Sequence, residues 1–441
     1  MKINNICCIG AGYVGGPTMA VIAYKCPNLK VTVVDSNPKK IKLWNGPLDK
    51  IPIYEPGLSE IIKKTRGVNL FFSENIKGSI ENAEMIFMAV NTPTKKSGKG
   101  AGMASDLKYI EVCARDIAKY SNSNKIVIEK STCPVRTAEK IKDILKSSNK
   151  KIEFEILSNP EFLAEGTAIK DLLKPDRVLI GGDSTKTGKA AIKLLVDVYK
   201  KWIPKRKILT TNVWSSELSK LASNAMLAQR VSSINSLSAL SDKTGAKIYE
   251  LSNAIGRDHR IGKYFLNASV GFGGSCFKKD ILNLVYLSRH YGLNEVAEYW
   301  HQVVKMNDYQ MNRFAQKIIN AFDGNLNGKT ITILGWAFKP NTNDSRESPS
   351  IYVSKRLFDS GAILNIYDPM VSGEKIYSDI KEYWKIKINN NDLKKRLKIL
   401  SGISNNLKNS DAIAVITNWE EFKTINWESI NKSTLIFNGI S

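Results

Sequence analysis

Short apolar runs alternate with helix-length segments over the first half of the chain. The first run, residues 2–9, leads straight into glycines, and the second, residues 31–35, ends on Asp35 about one helix later. Buried parallel strands have this continuous apolar character. Further strand patterns lie at 85–90, 126–129, 154–157 and 178–180, with helical patterns at 107–120 and 137–146. This repetition of strand, helix and strand predicts a doubly wound α/β sheet.

The pattern changes at Trp214, where a long uninterrupted helix is predicted. Residues 215–217 are typical of a helix start, and no Pro or Gly follows until Gly245. A helix of about 30 residues would span about 45 Å. Helical patterns continue to about residue 322, and the turn formers at 323–328 indicate a linker.

The last segment repeats the order of the first. Residues 329–335 form a strand pattern that runs into glycine, 350–360 a helix, and 363–368 a strand pattern that ends on Asp368. A Lys/Asn-rich surface insertion is predicted next, at 385–409. Two final strands are predicted at 411–417 and 434–438. The segment therefore predicts a second Rossmann-like α/β domain.

The length of the chain agrees with several domains. At roughly 150 residues per domain, 441 residues allow two or three. We predict two Rossmann-like doubly wound α/β domains, joined by a central long helix and helical segment, with boundaries at 1–213, 214–323 and 324–441.

Composition excludes several classes of protein. Apolar residues are 43% and charged residues 24%, and no apolar run reaches the roughly 18 residues of a membrane span. The N-terminus lacks a signal-peptide pattern, and the six cysteines are too irregular for a disulfide framework. With three histidines and no CxxC pair, we expect no metal site. The chain is predicted to be cytoplasmic and not bound to membranes.

The charge is unusual, because 65 basic and 42 acidic residues give +23. Such a balance favours anionic partners, which include nucleic acid and phosphorylated metabolites. Most of the excess is lysine spread along the chain, as a lysine-rich proteome would also produce. Since no nucleic-acid-binding motif accompanies the charge, we expect no nucleic acid partner, although a basic binding protein without catalysis stays an alternative.

The first strand leads into Gly10-Ala11-Gly12-Tyr13-Val14-Gly15, which matches G-x-G-x-x-G. The loop follows a strand, opens a helix and precedes an acidic residue, Asp35, at the end of the next strand. Pyrophosphate would lie at the helix N-terminus, and Asp35 would accept from the adenosine ribose. NAD is therefore favoured over NADP, although Lys39 and Lys40 lie nearby. The alternative is a glycine turn that binds another nucleotide or nothing.

Cys276 lies in the densest chemical cluster, residues 271–280, where three glycines and a serine precede a helical run. A helix N-terminus and the neighbouring Lys278 and Lys279 would favour a thiolate, the form a covalent nucleophile needs. The alternative is a small buried cysteine behind a glycine turn. Asp280, four residues further on, favours the catalytic interpretation.

Charged residues at two further places fit the same chemistry. On the long helix Lys220 and Asn224 share a face, although Lys220 could instead form a surface salt bridge with Glu217. Glu161 and Glu165 follow the strand pattern 154–157, and ligands bind at such strand ends. Together with the glycine loop and the thiol, they predict NAD-dependent oxidation through a thiohemiacetal and a thioester.

Eight segments, in order, resemble the UDP-glucose/GDP-mannose dehydrogenase family, and within it the animal-type UDP-glucose dehydrogenases. The match as a whole covers nearly the whole chain. The eight segments are 10–16, 90–94, 129–136, 158–172, 175–182, 215–230, 271–280 and 333–348. The resemblance implies that UDP-glucose, two NAD⁺ and water give UDP-glucuronate and two NADH. It also implies a C-terminal UDP-binding domain, a central helical dimerisation segment, and a homo-oligomer that is at least a dimer, with dimer and hexamer both left open.

The resemblance assigns roles to individual residues. Cys276 would be the nucleophile, Lys220 would stabilise the alkoxide, Asp280 would be the base, and Asn224 would hold the reacting oxygen. Glu161 would help activate the hydrolytic water, assisted by Thr132. Positions around NAD are matched by Gly10, Ala11, Gly12, Tyr13, Val14, Gly15, Asp35, Lys40, Val90, Thr92, Thr94, Ser131, Thr132, Glu165, Cys276, Lys279 and Arg346. Substrate positions are matched by Glu161, Phe162, Leu163, Lys220, Asn224, Arg260, Phe265, Phe272, Gly273, Phe338 and Lys339. Arg260 corresponds to an arginine that the family contributes from a neighbouring subunit.

Three departures from the family pattern accompany this match. Ile440 follows Asn438-Gly439 where the family usually has an arginine, Lys40 replaces an arginine beside the ribose, and the sequence ends at Ser441 without the animal-type tail. Altered sugar preference or affinity is the expected consequence. The nearest alternative is therefore a dehydrogenase for GDP-mannose or a UDP-N-acetylhexosamine, with the same fold and thiol.

Overall fold

The computed structural model describes residues 1–148, 151–385, 393, 395–403 and 407–439. The chain divides into two compact units, Met1–Ser223 and Asn224–Ser441. The strands are β1 (Asn5–Ile9), β2 (Lys30–Val34), β3 (Leu70–Ser73), β4 (Met85–Met88), β5 (Lys125–Glu129), β6 (Phe154–Ser158), β7 (Val178–Gly181), β8 (Ile208–Thr211), β9 (Thr330–Leu334), β10 (Ile363–Tyr367), β11 (Leu397–Ile399), β12 (Ala412–Val415) and β13 (Leu435–Asn438).

The α-helices of the described residues are α1 (Gly15–Lys25), α2 (Pro38–Asn45), α3 (Leu58–Thr65), α4 (Ile76–Asn82), α5 (Lys108–Tyr120), α6 (Thr137–Lys146), α7 (Ala168–Leu173), α8 (Lys186–Tyr199), α9 (Val213–Thr244), α10 (Ile248–Gly256), α11 (Phe277–His290), α12 (Asn294–Asn320), α13 (Pro349–Asp359), α14 (Gly373–Trp384) and α15 (Glu420–Lys423). Short 3₁₀ turns lie at Leu48–Lys50, Lys205–Lys207 and Trp427–Ser429. None of the helices among the described residues is long and apolar enough to cross a membrane.

The first unit contains a sheet in the order β3-β2-β1-β4-β5-β6-β7-β8. The first six strands are parallel, in the order typical of a Rossmann domain, and β7 turns antiparallel to β6. Strands β1 and β4 are apolar along their length because buried clusters cover both faces of the sheet. The predicted doubly wound fold is confirmed.

Two edge strands of this sheet escaped prediction. Strand β3 offers only three consecutive apolar residues, and β8 carries two threonines, so neither resembles the long apolar runs of the centre. Edge strands are buried on fewer sides than central ones, which weakens their apolar signal.

The second unit contains a parallel sheet in the order β11-β10-β9-β12-β13. The surface insertion predicted at 385–409 is wrong in part, because β11 lies within it and pairs with β10. Leu397 and Leu400 are buried, but the basic residues around them hide the strand pattern. Residues 386–392, 394 and 404–406 lie outside the described residues, and so does the part of that prediction that falls on them.

The long helix predicted from Trp214 onward is α9, a helix of 32 residues. Helices α10, α11 and α12 belong to the same compact unit as the second sheet. The three domain boundaries predicted from the sequence stay predictions.

Candidate active site

The loop after β1 needs glycine at two positions for reasons internal to the protein. Gly10 has φ +113°, and a Cβ there would lie 2.3 Å from the Ala89 carbonyl oxygen. A Cβ at Gly15 would lie 1.9 Å from the carbonyl oxygen of Gly10. Both distances are far below a van der Waals contact, so the tight turn and the close helix packing predicted for these glycines are present.

Gly12 differs, because a Cβ built on it meets no protein atom within 4 Å. Packing within the chain therefore does not require glycine there, and the backbone faces space in which a ligand can approach. Helix α1 begins at Gly15, so its N-terminal N–H groups favour an anion beside this space. Tyr13 and Val14 are half-buried on the same loop. The loop thus fits the pyrophosphate of a dinucleotide.

Asp35 follows β2 and is hydrogen-bonded to the glycine loop. Its Oδ2 accepts from the Ala11 N–H at 2.9 Å and lies 2.8 Å from Lys40 Nζ, while Oδ1 accepts from the Asn37 N–H. Burial raises the pKa of Asp35, but these hydrogen bonds outweigh it and lower the pKa overall. Asp35 is therefore ionised at neutral pH, as an acceptor for ribose hydroxyls requires. Trp44, which sequence reasoning missed, donates its indole N–H to Ala11 O at 3.0 Å.

The loops after β4 and β5 are joined by the hydroxyl groups predicted to lie near NAD. Ser131 Oγ donates to Val90 O at 2.6 Å, and Thr92 Oγ1 donates to Thr132 O at 2.8 Å. Thr94 bridges to Ser105. These contacts place the predicted group at the carboxyl ends of two parallel strands, where α/β sheets bind ligands.

Glu161 is held in place more firmly than expected for a solvated carboxylate. Its Oε2 lies 2.7 Å from Lys130 Nζ, and its Oε1 accepts from the N–H groups of Phe162 and Leu163 at 2.8 and 3.0 Å. Burial raises the pKa of Glu161, and Lys130 with the two N–H donors lowers it by more. Lys130 carried no signal in the sequence, because a lysine after a strand is ordinarily exposed.

The rest of the loop that carries Glu161 is held by Glu55, a residue distant in sequence. The buried Glu55 carboxylate accepts from the N–H groups of Gly166 and Ala168 at 2.7 and 3.1 Å. Glu165 is half-buried beside them. Sequence reasoning missed Glu55, because its partners lie more than 100 residues further along the chain.

Lys220, predicted to be catalytic, lies near the aromatic ring of Phe162. Its Nζ is 5.4 Å from the ring centroid, and the Arg177 guanidinium lies 3.8 Å from the same centroid. The alternative of a surface salt bridge to Glu217 is wrong, since Glu217 is buried. Its carboxylate instead accepts from the N–H groups of Arg136 and Ala138, at the start of α6.

Cys276 precedes α11 as its N-cap residue and is exposed, whereas the other five cysteines are buried. The alternative of a small buried cysteine is therefore wrong. Burial raises the pKa of Cys7 to about 12 and that of Cys26 to about 11, so these thiols are poor nucleophiles. Exposure and the helix N-terminus distinguish Cys276 as the candidate reactive thiol.

Asp280 lies one turn into the same helix and is buried. Asn224 donates its Nδ2–H to Asp280 Oδ2 at 2.6 Å, and Lys279 Nζ lies 3.4 Å from Oδ1. The Asp280 N–H donates to Cys276 O at 2.8 Å. The structure thus joins three of the predicted residues, Cys276, Asp280 and Asn224, within the second unit.

The glycines before Cys276 pack against the loop after β9. A Cβ on Gly273 would lie 2.8 Å from Phe338 Cβ, and the Gly274 N–H donates to Arg346 O at 2.8 Å. The guanidinium group of Arg346 in turn donates to both carboxylate oxygens of Asp344. Lys339 Nζ lies 5.5 Å from the Phe338 ring.

Asn307 on α12 fixes the backbone of Phe272. Its Oδ1 accepts from the Phe272 N–H at 2.8 Å, and its Nδ2–H donates to Phe272 O at 3.0 Å. Sequence reasoning missed Asn307, since one asparagine within a helix carries no distinguishing pattern.

Two predicted substrate residues are exposed in the single chain. Phe265 has φ +61°, in the left-handed region that a non-glycine residue rarely adopts, and Arg260 is paired with Asp258 while its side chain is 78% exposed. Ile440, where the family pattern has an arginine, lies outside the described residues.

These features define a class of protein. A parallel sheet in Rossmann order, a glycine loop that opens on free space and an ionised Asp after the second strand form a dinucleotide-binding domain. An exposed thiol at a helix N-terminus, beside a buried Asp–Asn pair, adds the groups of a dehydrogenase that forms covalent intermediates.

Comparison with known protein families identifies the particular group. Three domains of the UDP-glucose/GDP-mannose dehydrogenase family match: the NAD binding domain at residues 4–203, the central domain at 214–309 and the UDP binding domain at 332–440. The chain belongs to this family. The predicted family and the predicted use of NAD are confirmed.

Individual relatives agree along the whole length. The chain is 55% identical over 445 residues to UDP-glucose 6-dehydrogenase of Mus musculus, covering 100% of this chain and 89% of the relative. It is 54% identical over 439 residues to the Drosophila melanogaster enzyme of the same name, covering 98% and 92%. A solved UDP-glucose dehydrogenase from Pyrobaculum islandicum is 29% identical, with a TM-score of 0.86 over 100% of this chain and 95% of that one.

Proposed function

We propose that this chain oxidises the C6 hydroxymethyl group of UDP-glucose twice, giving UDP-glucuronate through a thioester on Cys276. The observation that carries the mechanism is the exposed Cys276 at the start of α11, one turn from the buried Asp280 and its partner Asn224. The substrate follows from family membership and from relatives named UDP-glucose 6-dehydrogenase.

The first unit holds the cofactor. Gly12 leaves room for the pyrophosphate, Asp35 accepts from the adenosine ribose, and the joined loops carrying Val90 and Ser131 form the adjoining wall. These residues would hold NAD⁺, which would supply the hydride acceptor, one NAD⁺ for each of the two oxidations. The other contacts predicted in this unit are Gly10, Ala11, Tyr13, Val14, Gly15, Lys40, Thr92, Thr94, Thr132 and Glu165. Cys276, Lys279 and Arg346, also predicted as cofactor contacts, belong to the second unit.

In the first oxidation, the C6 hydroxyl loses a proton and C6 loses a hydride, which leaves an aldehyde. Asp280 takes the proton, directly or through water, and Lys220 stabilises the developing alkoxide. Asn224 holds the reacting oxygen. Because Asn224 also donates to Asp280 at 2.6 Å, it orients the base at the same time.

In the second oxidation, the Cys276 thiolate adds to the aldehyde carbon and forms a thiohemiacetal. Loss of the second hydride converts this adduct into a thioester, and water then cleaves the C–S bond to give the carboxylate and the free thiol. Thr132 and Glu161 orient that water. The pKa of Glu161 is lowered, so it is an anion at neutral pH, which supports a role in activating that water.

Residues near Glu161 are among the proposed contacts to the UDP-sugar. In the first unit the Glu161 loop contributes Phe162 and Leu163, whose backbone is fixed by the Glu161 carboxylate. The other proposed contacts are Lys220, Asn224, Phe265, Phe272, Gly273, Phe338 and Lys339. Glycine is needed at 273 because a side chain would collide with Phe338.

We further propose a homo-oligomer, at least a dimer, in which Arg260 reaches the substrate of a neighbouring subunit. Arg260 and Tyr264 are 78% and 75% exposed in the single chain, as residues awaiting a second copy would be. Light scattering should give at least twice the 49.2 kDa mass of the chain. A monomer that turns over UDP-glucose at full rate would contradict this arrangement. A cytoplasmic location is proposed from the six cysteines, none of which forms a disulfide.

The test of the proposed function follows NADH absorbance with NAD⁺ and UDP-glucose. We expect two NADH per UDP-glucose, and loss of steady turnover in Cys276→Ser. Cys26→Ala, at a buried thiol, is the matched control and should keep turnover. NADH from GDP-mannose or a UDP-N-acetylhexosamine, but none from UDP-glucose, would overturn the substrate assignment.

A further inference from the structure

A buried polar cluster lies beneath the Glu161 loop in the first unit. It consists of Lys130, Asn159, Glu161 and Tyr199, and is called the Lys130 cluster below. Lys130 follows β5, Asn159 follows β6, and Tyr199 ends α8. The side chain of Lys130 is only 3% exposed and that of Glu161 only 14%.

The cation of Lys130 has three oxygen partners at defined distances. Glu161 Oε2 lies at 2.7 Å, Asn159 Oδ1 at 3.2 Å and Tyr199 Oη at 3.5 Å. Asn159 cannot easily turn away, because its Nδ2–H donates to Leu179 O at 2.8 Å and its Oδ1 also accepts from Tyr199. A buried ammonium group is tolerated only with such partners.

Glu161 connects this cluster to two functional segments. Its Oε1 accepts from the N–H groups of Phe162 and Leu163, which fixes the backbone of the proposed sugar loop. Its Oε2 also lies 3.5 Å from the hydroxyl of Thr18, on the helix that begins at the glycine loop. One carboxylate therefore links the end of β5, helix α1 and the loop carrying Phe162.

We propose that Lys130 is a positioning residue for the reaction: it holds Glu161 as a fixed anion, and Glu161 in turn sets the backbone of the sugar loop. The inference rests on the proposed function and deepens it. Lys130 does not touch the substrate. It acts through Glu161, so its removal changes the charge state of that carboxylate as well as the position of the loop.

The charge state of Glu161 distinguishes this role of Lys130 from a purely structural one. In the cluster the titratable groups are Lys130, Glu161 and Tyr199, with the uncharged Thr18 facing Glu161 from α1. Burial raises the pKa of Glu161, and Lys130 is the cation that reverses this. Without Lys130 the carboxyl group stays buried and takes up a proton at a higher pH than in the wild type.

The test measures kcat with UDP-glucose against pH in four variants. In Lys130→Met we expect kcat at neutral pH to fall about 10²-fold. The acid limb of the profile, where kcat decreases as the pH falls, should lie at higher pH than in the wild type. Lys130→Arg keeps a cation and should keep the wild-type limb. Tyr199→Phe removes a hydroxyl from the same cluster without changing its charge, so it should also keep that limb. Lys130→Met with Glu161→Gln removes both charges and should show no displaced limb.

A second readout is independent of turnover. The carboxyl ¹³C NMR signal of Glu161 reports its ionisation directly, and in Lys130→Met it should titrate at higher pH than in the wild type. If Lys130→Met does not fold, Lys130→Gln, which is polar but uncharged, replaces it in both measurements and should show the same displacement. Superimposable pH profiles of wild type and Lys130→Met, or a displaced limb that persists in the double variant, would overturn the proposal. A wild type that makes no NADH from UDP-glucose would instead refute the proposed function, and the NMR titration would still decide the role of Lys130.

Discussion

The two sheets begin in the same way and then diverge at the loop after their first strand. In the first unit the Gly10 N–H donates to Val34 O at 2.7 Å, and in the second the Gly335 N–H donates to Tyr367 O at 2.8 Å. In each unit an Asp follows the neighbouring strand and accepts from N–H groups of the loop. Both units therefore use the same kind of hydrogen bonds to hold the loop between the first strand and the following helix.

The loops differ in what fills them. Gly12 faces open space, whereas Trp336 and Ala337 in the second loop are completely buried. The Trp336 indole N–H donates to Asp379 Oδ2 at 3.0 Å, so protein atoms occupy the second loop. The first loop therefore has an open position at Gly12, whereas side chains of the protein fill the corresponding part of the second loop.

The two aspartates differ in the same sense. Asp368 accepts from the N–H groups of Trp336, Ala337, Met370 and Val371 and from the Trp419 indole. Asp35 accepts from two backbone N–H groups and pairs with the half-exposed Lys40. An Asp whose lone pairs are taken by the protein stabilises the fold, and one that keeps access to solvent can also bind a ribose.

The largest expected effect is on stability, from removing Asp368. Asp368→Ala leaves five donors, four of them buried, without an acceptor and should lower the free energy of unfolding by about 3 kcal/mol or more. Asp35→Ala should cost about 1 kcal/mol, since water can reach its partners. Urea unfolding of both variants measures the difference. Equal losses would remove the contrast between the two carboxylates.

A matched pair of glycine substitutions separates packing from binding. Gly335→Ala places a Cβ 2.4 Å from Thr417 Cβ at φ +97° and should cost about 2 kcal/mol of stability. Gly12→Ala meets no protein atom, so its stability should change by less than about 0.5 kcal/mol. Its KM for NAD⁺ should nevertheless rise about tenfold or more, because the methyl group fills the pyrophosphate space. Thermal unfolding measures the two changes in stability, and NAD⁺ titration measures the KM. An unchanged KM in Gly12→Ala would contradict the proposed pyrophosphate site at this loop.

Replacing the charge of Asp35 should sharpen the cofactor comparison. Asp35→Asn keeps the size of the side chain but no longer repels a 2′-phosphate, so the preference for NAD⁺ over NADP⁺ should fall about tenfold. The ratio of kcat/KM for the two cofactors measures this. Asp368→Asn is the control and should leave the ratio unchanged.

The smallest effect concerns pH. The pKa of Asp35 is lowered from its ordinary value of 3.8, so its carboxylate stabilises the fold above about pH 4 and loses this contribution as pH falls through the lowered pKa. The unfolding midpoints of wild type and Asp35→Asn should therefore converge between pH 6 and pH 3. A difference that stays constant over this range would show that the charge of Asp35 does not contribute.

Sequence reasoning succeeded where chemistry is carried by a few consecutive residues. The glycine loop followed by Asp35, and the glycines before Cys276, are local patterns whose turn geometry and helix start depend on adjacent residues. It failed for β11, whose buried leucines are surrounded by lysine and arginine. It also failed for Glu217, because a carboxylate on a helix is ordinarily exposed.

The sequence alone determined the order of the central strands and long helices, the family, the cofactor loop and the candidate thiol. Tertiary structure decided which carboxylates are free and which are occupied. Asp35 and Asp368 stand in the same place in their strand patterns, and only the donors around them distinguish a cofactor contact from a structural acceptor. The pairing of Lys130 with Glu161, 31 positions apart, was likewise decided by the fold. Burial and hydrogen bonding depend on groups brought together from distant parts of the chain, and local patterns do not contain that information.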